Sequence, residues 1–143
     1  MKNIIRIIDA NLNRSREGLR VVEDLVRFVL DDAELASQMK SARHEITMIA
    51  RQLPIDDLTL LDARNSKGDV GVELNSESED TRIDLSQIAI ANIRRAEESM
   101  RVLEELSKLY SPEIGLRFKR LRFRLYDLEK QILSEMAKYK DNK

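Results

Sequence analysis

A chain of 143 residues is long enough to bury a core without disulfide or metal staples and has the usual size of one domain. Hydrophobic residues make up 42% but aromatics only 4%, with 4 Gly and 2 Pro, so strand and turn formers are scarce and the balance favours helix. The 25 basic and 26 acidic residues nearly cancel, there is no cysteine and only one histidine, which excludes a global basic field for nucleic acid or anionic lipid, a thiolate nucleophile, and a metal site built from cysteine or histidine.

The first element expected is a helix over 4–30. Its apolar start, Ile4 to Ile8, is interrupted by Arg6 and followed by Asp9, too short and too charged for a signal peptide or a membrane span, so a soluble cytoplasmic protein is expected. At 100° per residue, Leu12, Leu19, Val22, Leu25, Val26 and Val29 fall on one side, the expected core side, and Glu17, Arg20, Asp24 and Arg27 fall opposite. A turn at Asp31-Asp32 leads to a second helix over 33–53.

The stretch 54–83 holds Asp56-Asp57, Arg64, the sequence Gly68-Asp69-Val70-Gly71 and Ser76, with Leu60, Leu61, Val70, Val72 and Leu74 as apolar anchors. It is expected to be one long, partly ordered loop packed across an end of the bundle. Asp84, with Gln87 three residues later, predicts a capping-box start for a third helix over 85–110. Its core side holds Ile93, Met100, Leu103, Leu106 and Tyr110, against Glu98, Arg101, Glu105 and Lys108 opposite. Ser111-Pro112 marks a second tight turn before a fourth helix over 113–139, and the Lys-rich end, 138–143, reads as a frayed tail.

The chain repeats itself. Asn11, Arg14, Leu19, Arg20, Val21, Glu23 and Leu25 recur as Asn92, Arg95, Met100, Arg101, Val102, Glu104 and Leu106 at a constant offset of 81 residues. Asn3, matched to Asp84 at the same offset, extends the repeat back to an expected helix cap, and Lys40, Arg43 and Ile46 match Lys119, Arg122 and Leu125 at an offset of 79. The expected fold is therefore all-α: a bundle of two duplicated helical hairpins, four long helices in all, with repeat one over 3–53, the loop over 54–83 and repeat two over 84–139.

The repetition of charge at equivalent positions singles out Arg20 and Arg101, and Glu23 and Glu104, from an otherwise solvated helix surface laced with weak ion pairs. Asn11 and Asn92 fall on the apolar side beyond capping reach, where a buried amide must find partners, either a hydrogen bond between helices or a ligand. Arg14 and Arg95 stand beside them at the edge of the apolar stripe. Glu17, Glu23, Asp24, Glu98, Glu104, Glu105, Asp62 and Asp69 offer hard oxygen ligands suited to Mg²⁺. Gly68-Asp69-Val70-Gly71 lacks the Lys-Ser/Thr end of a phosphate-binding loop and taken alone is a turn. His44, next to Arg43, is either a packed helix histidine or a phosphate contact.

The string DANLNRSREGLRVVEDLVRFVLDD, then KSARHE, then Arg64 ahead of Asp69-Val70-Gly71, then Asn92 and Arg95 resemble a small helical family of thiamin biosynthesis, found alone or fused ahead of thiamin phosphate synthase. The resemblance runs from Arg6 to about Glu129; Ser15 stands where Ala is expected. It implies a hydroxymethylpyrimidine phosphate kinase, passing a phosphoryl group from ATP, with Mg²⁺, to a phosphorylated pyrimidine. On this reading Arg20, Arg101 and Asp69 are the expected catalytic groups, Asn11, Arg14, Arg43, His44, Arg64, Gly71, Asn92 and Arg95 the expected substrate and phosphate contacts, and Glu23 and Glu104 the expected Mg²⁺ ligands. Expected partners are the phosphorylated pyrimidine and the nucleotide, with a thiamin phosphate synthase and a homo-oligomer as further partners, and no nucleic acid or membrane. Two rival functions stand beside it: a non-catalytic module binding a phosphorylated pyrimidine or a partner synthase, and a structural bundle that oligomerises through apolar residues of the loop.

Overall fold

The computed structural model describes residues 1–74 and 81–141, and these form five helices: α1 (Lys2–Phe28), α2 (Ala33–Ala50), α3 (Asp57–Ala63), α4 (Leu85–Ser107) and α5 (Pro112–Asp141). No strand occurs among the described residues. The four long helices are those expected, each shifted at its ends by a few residues. Residues 75–80 of the expected loop, Ser76 among them, and the last two residues of the expected tail lie outside the described residues.

Local chemistry sets the helix ends. Asp31 takes up positive φ (51°), a conformation Asp tolerates better than most residues, and Asp32 then caps α2 by accepting from the Leu35 amide at 2.9 Å. Asp84 accepts from the Gln87 amide at 2.8 Å while the Gln87 side chain accepts from the Ile83 amide, the reciprocal pattern expected of a capping box displaced by one residue. Pro112 opens α5, where its missing N–H costs nothing.

Three expectations are corrected. The central stretch is not all loop: α3 interrupts it, capped by Asp56 accepting from the Thr59 amide at 2.8 Å, and seven residues are too few to show a helical period in sequence. Asn3 is no cap, since α1 begins at Lys2 without a side-chain cap bond. Lys138 and Lys140 belong to α5 rather than to a frayed tail, and they pair with Glu135 at 3.0 Å and with Asp84 at 3.5 Å.

The packing follows the repeat. α1 and α4 are the central pair; α2 lies on α1, α5 on α4, α2 and α5 touch, and α3 rests on α1. Ile8, Leu12, Leu19, Val22 and Val26 of α1 meet Met39, Ala42 and Ile46 of α2, Ile93, Met100 and Leu103 of α4, and Phe118, Leu121 and Leu125 of α5, all essentially without solvent exposure. Gly18 lets the two central helices close together: a Cβ at this position would lie 2.7 Å from the Asn92 carbonyl oxygen. Of the expected core, Leu25, Val29, Leu106 and Tyr110 are only partly buried, being near the helix ends.

Candidate functional site

The duplicated acidic positions are pins between helices. Glu23, its side chain 6% exposed, accepts from Arg43 of α2 through Nε at 2.9 Å and Nη2 at 3.4 Å; Glu104, 4% exposed, accepts from Arg122 of α5 through Nη2 at 2.9 Å and Nε at 3.3 Å. Each also meets the arginine one turn before it, Arg20 at 3.7 Å and Arg101 at 3.1 Å. One ion pair thus holds each hairpin at equivalent points of the repeat. Glu23 and Glu104 face guanidinium groups in separate hairpins, so a cation at either would have to displace an arginine from a buried carboxylate. Among the described residues no group of three or more metal-ligating side chains is assembled.

Arg14, Arg20, Arg95 and Arg101, expected among the catalytic and phosphate-contacting groups, are not brought to one cleft. Arg20 and Arg101 lie along their own helices, with Asp24 at 3.5 Å and Glu105 at 3.3 Å as second partners, and more than half of each side chain is in solvent. Arg14 and Arg95 are exposed and, among the described residues, neither has a carboxylate partner. Arg95 alone of the four lines the groove between α1 and α4, with Asn92, Gln87, Glu98 and Glu17. This groove has a volume of about 540 Å³. Asn11 and Asn92 each donate to the carbonyl four residues back in their own helix, Ile7 and Ile88, both at 2.9 Å. Neither amide bridges helices; each settles its donor locally and keeps its oxygen as an acceptor.

A second cleft, of about 280 Å³, opens between α1 and the turn that follows α3, lined by Arg6, Asp9, Asn13, Glu17, Arg64 and Asp69 among others. Arg64 grips Asp9 with two bonds, Nε at 2.8 Å and Nη2 at 2.9 Å, and the carboxylate raises the guanidinium pKa above its ordinary value. Asn65 accepts from the Gly68 amide at 2.9 Å and Asp69 from the Gly71 amide at 2.8 Å, so the glycine amides that a phosphate would need are held by side chains of the turn itself. Gly71, His44 and Arg43 line neither cleft; His44 is exposed on α2.

Between α4 and α5, Glu97 is 6% exposed and its Oε2 is buried without a hydrogen-bond partner among the described residues. Burial, followed by the hydrogen bond and charge of Glu129, pushes its carboxyl up to about 8 against the opposing pull of Arg94. Two carboxyls in contact with one proton between them account for both the pKa and the lack of an ordinary donor. Sequence reasoning missed Glu97, although a signal was present: at the repeat offset it stands opposite Arg16, whose guanidinium donates to Thr47 Oγ1 at 3.1 Å in the first hairpin. It also missed Arg6 and Asn13, which lie on helix faces that read as plain polar surface, and took Gln87 only as a capping residue.

A family model described as the ThiD2 family matches residues 6–131. The chain belongs to the ThiD2 family. ThiD2-like segments lie within longer proteins: a thiamine-phosphate synthase of Synechocystis is 45% identical over 130 residues, covering 91% of this chain and 36% of that protein. Another, of Nostoc punctiforme, is 41% identical, covering 91% of this chain and 35% of that protein, and one of Rhodopirellula baltica is 33% identical over 136 residues, covering 95% and 36%. This ThiD2 chain therefore spans about a third of the length of these relatives. No solved structure matches it. Among its described residues no helix is long and apolar enough to cross a membrane.

Proposed function

We infer that this ThiD2 chain is a phosphotransferase of thiamin biosynthesis, converting 4-amino-5-hydroxymethyl-2-methylpyrimidine phosphate to the diphosphate with ATP and Mg²⁺. The observation that carries the reading is the groove between α1 and α4, where Arg95, without a carboxylate partner among the described residues, stands beside Asn92, whose backbone packs against Gly18. A guanidinium without a protein carboxylate, next to an amide, is suited to recognising a phosphate. Phosphoryl transfer to an existing phosphate asks for positioning and charge neutralisation rather than a covalent intermediate. The side chains agree, since the buried hydroxyls of Ser15 and Ser99 are bonded to carbonyls of their own helices at 3.0 and 2.8 Å and are not poised as nucleophiles.

The residues present fit a magnesium–nucleotide better at Glu17 than at Glu23 or Glu104. Glu17 is exposed, makes no hydrogen bond or ion pair among the described residues, and lines both clefts. Mg²⁺ is commonly held by one or two carboxylates together with substrate phosphates and water, so a prebuilt cage of three protein ligands is not required. When bound, the ion would neutralise phosphate charge; Glu17 would hold it, while Arg95 and Asn92 orient a phosphate. The diphosphate product is what a thiamine-phosphate synthase, the activity named for the relatives, would consume.

The test is ADP release by the purified chain in a coupled assay, with ATP, Mg²⁺ and the pyrimidine phosphate. Turnover that requires all three supports the reading. Tight binding of the pyrimidine phosphate without any ADP release would favour a non-catalytic module instead.

A further inference from the structure

Resting on that kinase reading, we propose that the two clefts beside the α1–α4 crossing take one substrate each, the nucleoside triphosphate in the larger and the aminopyrimidine phosphate in the smaller, with Glu17 at their junction. Three observations converge on this. The clefts are related by the repeat: Arg6, Ala10 and Glu17 of the smaller stand at the offset of 81 residues from Gln87, Ala91 and Glu98 of the larger. A duplicated hairpin has thus produced two comparable recesses, and transfer between two phosphorylated substrates needs two adjoining anion sites with the transferred group between them. Glu17 contributes to both linings and makes no hydrogen bond or ion pair among the described residues, whereas the oxygens of Asp9, in the smaller cleft with it, are held by Arg64.

Size and chemistry set the assignment. The volumes, about 540 and 280 Å³, differ by the factor of roughly two that separates a nucleoside triphosphate from an aminopyrimidine phosphate in bulk. The smaller cleft pairs cations with a donor and an acceptor: Arg6 and Arg64 for the phosphate, the Asn13 amide N–H for a ring nitrogen and the Asp69 carboxylate to accept from the amino group. The larger offers Arg95 to a polyphosphate, with the Asn92 side chain beside it. In the transfer itself an oxygen of the acceptor phosphate forms the new bond to the terminal phosphorus of ATP, and the bond from that phosphorus to the β-bridging oxygen breaks, releasing ADP. With both phosphates fully ionised, total charge is conserved and no proton has to move, which fits clefts that offer arginines to the phosphates.

The experiment uses the full chain and two probes measured separately by calorimetry: the pyrimidine phosphate, and the β,γ-methylene analogue of ATP with and without Mg²⁺. Ser66→Trp fills the smaller cleft from its exposed turn, and Val21→Trp fills the larger from the exposed face of α1. Ser66→Trp is expected to weaken the pyrimidine phosphate at least tenfold and leave the analogue within twofold; Val21→Trp is expected to do the reverse, so each variant's retained ligand shows that it is folded. Glu17→Gln should not weaken the metal-free analogue, since it removes a like charge beside the polyphosphate, and should remove the gain that Mg²⁺ gives it. One blocking substitution weakening both ligands equally, or a full Mg²⁺ gain in Glu17→Gln, overturns the one-cleft-per-substrate assignment while leaving the kinase reading intact. Wild-type chain that binds neither probe overturns both.

Discussion

Replacing Glu97 by Gln turns the carboxyl pair between α4 and α5 into a stability measurement. Glu97 sits against Glu129 with its Oε2 buried, and its pKa rises from the ordinary 4.5 to about 8. Folding therefore favours the protonated form: the stability tied to this proton is fully present below about pH 4.5 and is lost progressively as the pH rises to about 8, after which the loss is complete. Each pH unit by which the folded-state value is raised corresponds to about 1.4 kcal/mol, an upper limit near 5 kcal/mol for the whole rise. Arg94 and Arg122 line the same cleft and ease the ionisation of Glu97, so roughly 2–3 kcal/mol is expected. Glutamine keeps the shape and always carries a donor toward Glu129. Urea unfolding should then find Glu97→Gln equal to the wild type at pH 4.5 and more stable by that amount at pH 8.5. The same difference at both pH values, or none at either, would refute a shared proton.

Four further outcomes follow from the geometry. Gly18→Ala places a Cβ 2.7 Å from the Asn92 carbonyl oxygen, and overpacking of about 2–3 kcal/mol outweighs a gain of about 1 kcal/mol in helix propensity; calorimetry should show a lower Tm, and an unchanged or higher one would mean the helices part easily. Glu104→Gln leaves Arg122, 11% exposed, without its partner, at a cost of roughly 3–5 kcal/mol in chemical denaturation, whereas Glu23→Gln costs less because Arg43 is 20% exposed. Arg95→Lys keeps charge but loses the planar fork and should lower kcat/KM by about tenfold or more. Arg20→Lys, outside both clefts, should stay within about twofold of wild type, and equal losses in the two would place Arg20 in the site as well.

Much of the architecture was legible because it rests on period and repetition. The apolar spacing from Ile8 through Val26 and the matched strings around Asn11 and Asn92 locate the central helix pair directly. The capping pair Asp84 and Gln87 marks the start of α4 to the residue. What sequence could not convey is which neighbour claims a polar group. Glu23 and Glu104 look like free oxygen ligands on a helical wheel, yet the arginines that occupy them, Arg43 and Arg122, come from other helices. Asn11 and Asn92 look like bridging amides until their own helix carbonyls are considered. Asp9, Arg64 and Asp69 meet only because α3 and its following turn fold back onto α1, a long-range event with no periodic trace.

The central claim, transfer of phosphate to phosphate in the grooves beside the α1–α4 crossing, is tested most directly by following the reaction of the purified chain with MgATP in ³¹P NMR, using the pyrimidine phosphate and the free hydroxymethylpyrimidine as alternative acceptors. New diphosphate resonances are expected from the phosphate acceptor, dependent on Arg95, and turnover of the free alcohol should be lower by about tenfold or more, because a guanidinium left without its anion removes a charge-assisted contact of roughly 1.5–3 kcal/mol. Equal phosphorylation of the alcohol, or diphosphate formed at full rate by Arg95→Lys, would contradict it.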